Sequence, residues 1–419
     1  MKKILLSCCL LLHCWLANAL EISVGAGKIA AKPIAVVPFS DNGGSDKIDF
    51  IVSSDLKQSG VFAPISPSAY QARPADAQQI DYAAFQSLGA AYVVVGRLVN
   101  PQTIRFALAD AFQQQIIGSY TVTVPPKTLR QAAHEVSDII LEKLTGVRGA
   151  FATRLVYVYE TGSGNTRRYH IMLSDSDGAD PKTLLTSRAP VMSPRFSPDG
   201  SRIAYVTFEG KHSQIVTQNI HTGKRALVSK APGINSAPAW SPDGNKIAMV
   251  LSKDGNSEVY FKNLANGQLT RVTNNPKIDT EPAWSPSGNE IYFTSDRSGS
   301  PQLYHINIHN GALKKITNTG SYSAGAAISP DGKRIALARN NGGSYIIGTI
   351  DRGNGQFYGV SKGFVDETPR FSPNGKMLIF TSVEGGKSVL KIVNVDGSGT
   401  NTLSTGGQIR DPDWSPLIR

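Results

Sequence analysis

The sequence predicts two domains, a small α/β domain followed by a six-bladed β-propeller that the C-terminal strand closes. Three observations carry this. A Ser-Pro dipeptide recurs at Ser197, Ser241, Ser285, Ser329, Ser372 and Ser415, at spacings of 44, 44, 44, 43 and 43 residues. Each repeat holds about four short strands, the content of one propeller blade. The last Ser-Pro lies three residues from the C-terminus, so it finishes a single strand rather than opening another blade.

The repeating unit has a readable physics. A large apolar residue precedes each dipeptide (Phe196, Trp240, Trp284, Ile328, Phe371, Trp414), and Asp-Gly or a close relative follows the first five. Ser-Pro-Asp-Gly suits a tight turn, in which Pro presets φ and Gly accepts a positive φ. The flanks, such as Lys246-Ile-Ala-Met-Val-Leu and Glu290-Ile-Tyr-Phe-Thr, are strand-like. Residues 153–187 read as three strands with no aromatic-Ser-Pro strand of their own. The C-terminal strand is therefore expected to complete that first blade, giving six blades over 151–419.

Residues 20–150 lack the repeat. Lys32-Pro-Ile-Ala-Val-Val-Pro and Ala91-Tyr-Val-Val-Val-Gly read as buried strands, and 104–109 with 116–124 as an antiparallel pair. Asp46–Gln58 and Tyr82–Leu88 have helical spacing. Thr128–Leu144 is an amphipathic helix with Leu129, Ala132, Val136, Ile139, Ile140 and Leu144 on one face.

Residues 1–19 read as a cleaved export signal. Lys2 and Lys3 precede an apolar run, and Ala17-Asn18-Ala19 fits the small-x-small cleavage rule. Cys8, Cys9 and Cys14 all lie inside that segment, which excludes a disulfide scaffold, a Cys-ligated zinc and a cysteine nucleophile from the mature chain. Lipidation at Cys8 would leave only four residues after Lys3, too few for an apolar core. No later stretch is long and apolar enough to span a membrane. The formal charge of +11 falls to +9 without Lys2 and Lys3. The basic residues are scattered, which argues against nucleic acid; solubility suffices to explain them.

Catalytic motifs fail on context. Gly359-Val-Ser361-Lys-Gly363 matches a nucleophile elbow in letters, but it falls between strands with no helix after it. His305 and His309 are four apart in a strand-like stretch, about 13 Å, too far to share an ion. No Gly-rich phosphate loop is present, and no metal or cofactor is expected.

The residues that start each inner strand should ring one mouth of the central channel. They are Met192-Ser193, Ser236-Ala237, Thr280-Glu281, Ala324-Gly325, Glu367-Thr368 and Arg410-Asp411, with Asn235, Asp279, Ser323 and Asp366 just upstream. This polar ring with carboxylates and one Arg is the expected binding site, suited to a protein loop, a small ligand or a cation.

The chain resembles the TolB family, periplasmic propeller proteins of the Tol–Pal cell-envelope system. The resemblance rests on Glu21-Ile22-Ser23-Val24, Pro33-Ile-Ala-Val-Val-Pro-Phe39, Asn235-Ser236-Ala237-Pro238, Asp279-Thr280-Glu281-Pro282, Val365-Asp366-Glu367-Thr368-Pro369 and Asp413-Trp414-Ser415-Pro416. It implies a monomeric, non-enzymatic periplasmic protein that supports outer-membrane integrity and constriction during cell division. It implies that Thr280 and Glu281, with Asn235, Ser236, Asp366 and Glu367 nearby, bind the peptidoglycan-associated lipoprotein Pal. It implies that a tail containing Glu21, Ile22 and Val24 engages the inner-membrane partner TolA. Ile234 stands where the family pattern has a polar residue.

Two alternatives compete. The gate of a serine peptidase would need a full α/β-hydrolase domain, and the N-terminal region is too short for one. A propeller that binds carbohydrate or another small ligand would be favoured by an aromatic at the mouth, and the ring above contains none.

Overall fold

A computed structural model describes residues 30–40, 47–123, 129–318, 320–403 and 407–417. The expected export segment and the tail residues Glu21, Ile22 and Val24 lie outside the described residues.

The N-terminal part is one five-stranded sheet flanked by helices. In chain order its elements are β1 (Lys32–Val36), α1 (Ile48–Gln58), β2 (Phe62–Pro64), α2 (Tyr82–Ser87), β3 (Tyr92–Asn100), β4 (Thr103–Asp110), β5 (Gln115–Thr123) and α3 (Leu129–Thr145). The sheet order is β2-β1-β3-β4-β5, with β1 parallel to both neighbours. Strands β1 and β3 each hold a continuous buried apolar run, residues 34–36 and 93–95, because both sheet faces are covered there. Ile48, Val52 and Leu56 of α1 and Val136 and Ile140 of α3 pack one face, and Tyr70 and Phe85 pack the other. The sequence did not flag β2, which is three residues long and buries only Phe62 fully, too little for a periodic signal.

Six four-stranded blades follow. The inner strands are Gln408–Trp414 for the first blade, then Val191–Phe196, Asn235–Trp240, Asp279–Trp284, Ser323–Ile328 and Asp366–Phe371. The C-terminal strand closes the ring as expected. It pairs antiparallel with Arg154–Thr161, and Ser415 exchanges backbone and side-chain bonds with Arg154 at 2.8 and 2.9 Å.

The recurring Ser-Pro-Asp-Gly is a structural turn. In the third blade the Ser241 hydroxyl donates to Asp243 at 2.5 Å and accepts from the Lys246 amide at 2.9 Å. The Ser241 hydroxyl and the Asn245 amide hold the Asp243 carboxyl down to about 2. Gly244 sits at φ 69°, where a Cβ is disfavoured. The aromatic before each serine is inter-blade core. The indoles of Trp240 and Trp284 donate to the carbonyls of Arg195 and Ala239 in the preceding blade, at 3.2 and 3.1 Å.

The two parts share one core. Leu155, Tyr157, Met377, Ile379, Ile409 and Trp414 of the propeller join the α1 and α3 residues in a single buried cluster. Helix α3 consequently buries a second, polar face that its amphipathic pattern did not reveal. His134, Ser137 and Asp138 on it are almost wholly buried. His134 Nδ1 lies 2.8 Å from Asp55 of α1, and Asp138 accepts from the amides of Phe151 and Ala152 at 2.8 and 3.0 Å. Arg130 and Arg154 reach Asp175 in the first blade at 3.3 and 3.2 Å.

Candidate functional site

All six inner strands break their pairing at the same place. Ser236 pairs with Val250 and Ala239 with Ala248, so Ala237 and Pro238 face the single residue Met249. The same shift occurs at Thr280/Ala283, Ala324/Ala327, Glu367/Arg370, Arg410/Asp413 and between Met192 and Arg195. Each is a β-bulge, and its first residue lies in the left-handed region: Ser193 at φ 51°, Ala237 at 49°, Glu281 at 53°, Gly325 at 71°, Thr368 at 53° and Asp411 at 55°. Proline takes the next position in five of the six, where no ladder hydrogen bond is needed. The bulges turn this ring of residues toward the channel, which has a volume of about 440 Å³.

Two carboxylates of the ring clasp the next blade. Glu281 accepts from the Gly325 amide at 2.9 Å and from the Thr294 hydroxyl at 2.8 Å. Asp411 accepts from the Ser193 amide at 2.9 Å. Glu367 makes no such bond among the described residues; although the residue as a whole is exposed, partial burial of its carboxyl, then the negative charges of Asp411 and Glu281, push its pKa above the ordinary value. Arg410 is engaged with Glu160 at 3.3 Å and Arg297 with Asp279 at 2.7 Å, while Arg370, 3.7 Å from Asp413, also feels the charges of Glu281 and Asp411. Among the described residues no cation pairs with Glu281, Glu367 or Asp411.

Two residues deeper, the channel wall is Arg195, Ala239, Ala283, Ala327, Arg370 and Asp413. Asp413 accepts from the Phe196 amide at 2.7 Å and stands 3.7 Å from Arg370. Burial, then Arg195, push the Arg370 pKa down to about 9, so it is still a cation at neutral pH. These three charged residues span three consecutive blades across the closure. The repeat alignment held the signal for them: each directly precedes the inner-strand aromatic.

The predicted ring residues divide into two groups. Ser236, Thr280, Glu281, Glu367, Arg410 and Asp411 are partly or well exposed at the mouth. Asn235, Asp279 and Asp366 are fully buried at the start of their strands. Asn235 binds the Ala231 amide and carbonyl at 2.9 and 2.7 Å, and Asp366 accepts from Ser361, Gly363 and Ser382 at 2.5, 3.0 and 2.6 Å. They shape the rim and present no surface of their own. A buried carboxylate can stand one position from an exposed one because strand side chains alternate.

The mouth also carries exposed apolar side chains, of which sequence reasoning named Met192 and Ile234 and missed Phe208, Ile278 and Phe364. Met192, Phe208, Ile234, Ile278 and Phe364 are exposed, Phe364 to 71%. Phe364 corrects the expectation of a rim without aromatics. It precedes Asp366 by two residues, in a loop that the repeat pattern does not cover.

The rejected motifs behave as structural elements. Ser361 of the elbow-like sequence braces a loop through Asp366 and the Ile347 amide, and an inner strand, not a helix, comes next. His305 stacks on Tyr292 at 5.2 Å, while His309 bonds Asn289 at 3.2 Å. His134, Asp175 and Asp177 bring potential ligand atoms within 4.8 Å of one another, but Arg130 already binds both carboxylates.

The chain matches the profile of the TolB amino-terminal domain over residues 20–117 and that of the TolB beta propeller domain over 141–418. The chain belongs to the TolB family. The Tol-Pal system protein TolB of Methylococcus capsulatus is 56% identical over 403 residues, covering 95% of this chain and 94% of the relative. That of Thioalkalivibrio sulfidiphilus is 51% identical over 423 residues, covering 98% and 97%. The crystal structure of TolB from Acinetobacter baumannii superposes with a TM-score of 0.86 at 38% identity, covering 93% of this chain and 98% of that one. TolB membership supports a Tol-Pal envelope role with envelope proteins as partners. Among the described residues no helix is long and apolar enough to cross a membrane.

Proposed function

We propose that the chain is a non-enzymatic periplasmic adaptor of the Tol–Pal system. Its propeller mouth binds the peptidoglycan-associated lipoprotein Pal, and its N-terminal tail, with Glu21, Ile22 and Val24, engages TolA. Through these contacts it supports outer-membrane integrity and constriction during cell division. The export segment 1–19 and the division of the mature chain near residue 150 belong to the same proposal. One observation carries it: a mouth where, among the described residues, Glu281, Glu367 and Asp411 form no ion pair and where Met192, Ile234 and Phe364, close in sequence to the ring, are exposed. Unpaired charge beside uncovered apolar surface favours a protein partner.

The tail can act as a strand added to a partner's sheet, and docking at the mouth shifts its availability if the two states differ in affinity for the lipoprotein. Tail amide mobility that is identical with and without the lipoprotein would end that part of the proposal.

The test is calorimetric titration of residues 21–419 with the soluble domain of the lipoprotein. Glu281→Lys and Glu367→Lys are both expected to abolish binding. Glu367 is the cleaner site, because it holds no neighbouring blade. A folded wild type that does not bind would overturn the assignment. Phe364 keeps carbohydrate as the second reading, so oligosaccharides are titrated alongside.

A further inference from the structure

An apolar groove on the mouth face is not explained by the ring of carboxylates. It lies between the second and third blades, has a volume of about 460 Å³, and is walled by Met192, Val206, Phe208 and Ile234. Met192, Phe208 and Ile234 are 38%, 41% and 49% exposed. Apolar walls gathered in one groove are costly to leave in water and mark a docking surface.

The groove has electrical polarity. Lys211 and His212 stand at its outer end, in the loop between the second and third strands of their blade. Its inner end reaches Ser193 and Ser236 at the rim. The Ser193 amide donates to Asp411, so that end opens onto Asp411 and, beyond it, Glu367 and Glu281.

We propose that this groove docks an extended segment of a protein partner that reads, from outside inward, carboxylate, large apolar residue, lysine or arginine. Charge complementarity selects that occupant. The carboxylate meets Lys211, the apolar side chain covers Ile234 and Phe208, and the cation reaches mouth carboxylates that form no ion pair among the described residues. Aligned charges set the direction in which the segment lies, and the apolar anchor supplies the affinity. The inference rests on the lipoprotein assignment only for the partner's identity.

Two probes test it on residues 21–419. Capped peptides Glu-Leu-Lys and Lys-Leu-Glu are titrated at millimolar concentration while the amides of Ser193, Ile234 and Ser236 are followed by NMR. The first is expected to shift them saturably and the second to bind about tenfold more weakly. Ile234→Asp, an exposed substitution, is expected to remove the peptide response and to weaken the lipoprotein domain by about tenfold or more. Peptides that bind equally in either order, or not at all, overturn the proposal. So does a lipoprotein domain that binds wild type and Ile234→Asp equally. If the lipoprotein ignores the wild type while the peptides still discriminate, the partner assignment fails and the groove stands.

Discussion

Replacing His134 with leucine should weaken the junction between the N-terminal part and the propeller, and do so in a pH-dependent way. His134 is fully buried, its Nδ1 is 2.8 Å from Asp55, and its Nε2 is 3.8 Å from Asp177. Burial acts to lower its pKa, but Asp55, with help from Asp177 and Asp175, outweighs it and raises the value to about 9. The folded value thus lies above the ordinary value of about 6.5. The stability that protonation contributes is complete below about pH 6.5 and is lost as pH rises through about 9. A shift of this size corresponds to about 3 kcal/mol. Asp55 opposes part of it, because burial raises its own pKa above the ordinary value. The leucine variant also leaves Asp55 buried without its cation, so at about pH 6 it should lose about 3 kcal/mol in total. Thermal unfolding of both proteins reads this out. The stability gap between them should narrow as pH rises from about 6 to about 10. A gap that stays constant across that range would refute the assignment of His134 as a buried cation.

Other expectations follow from the ring. Glu281→Ala removes the acceptor for the Gly325 amide and the Thr294 hydroxyl, and should destabilise the propeller by about 2 kcal/mol in denaturant unfolding. Ala237→Gly relieves a left-handed Cβ and should be neutral to stabilising by up to about 1 kcal/mol; a clear loss would show that the bulge is not strained. Trp240→Phe breaks the indole bond to the Arg195 carbonyl and opens a small void, for a loss of about 2 kcal/mol measured the same way. Deleting residues 408–419 removes the inner strand of the first blade and should abolish cooperative unfolding, visible by calorimetry.

Much of the fold was legible because it repeats. A turn that needs serine, proline and a positive-φ glycine returns every 43 or 44 residues, and each copy reinforces the others. Closure was legible because the first blade lacks one strand and the C-terminus holds a spare. The mouth was legible only as positions. Alternation along a strand placed Asp366 and Glu367 side by side in sequence, yet one is wholly buried and the other exposed. Which is which depends on the face each side chain takes in the closed ring, and the bulge that follows holds serine, alanine, glutamate, glycine, threonine or aspartate at its left-handed position.

The sequence by itself determined the blade count, the strand that closes the ring, the helices and most strands of the N-terminal part, and membership of the family. These follow from local turn chemistry and periodicity, which act between near neighbours. Only the tertiary structure decided the rest. It turned the polar face of α3 into a buried junction, aligned Arg195, Arg370 and Asp413 across three blades, and gathered Met192, Phe208 and Ile234 into one groove. Those residues are far apart along the chain, and ring closure, not local pattern, makes them neighbours.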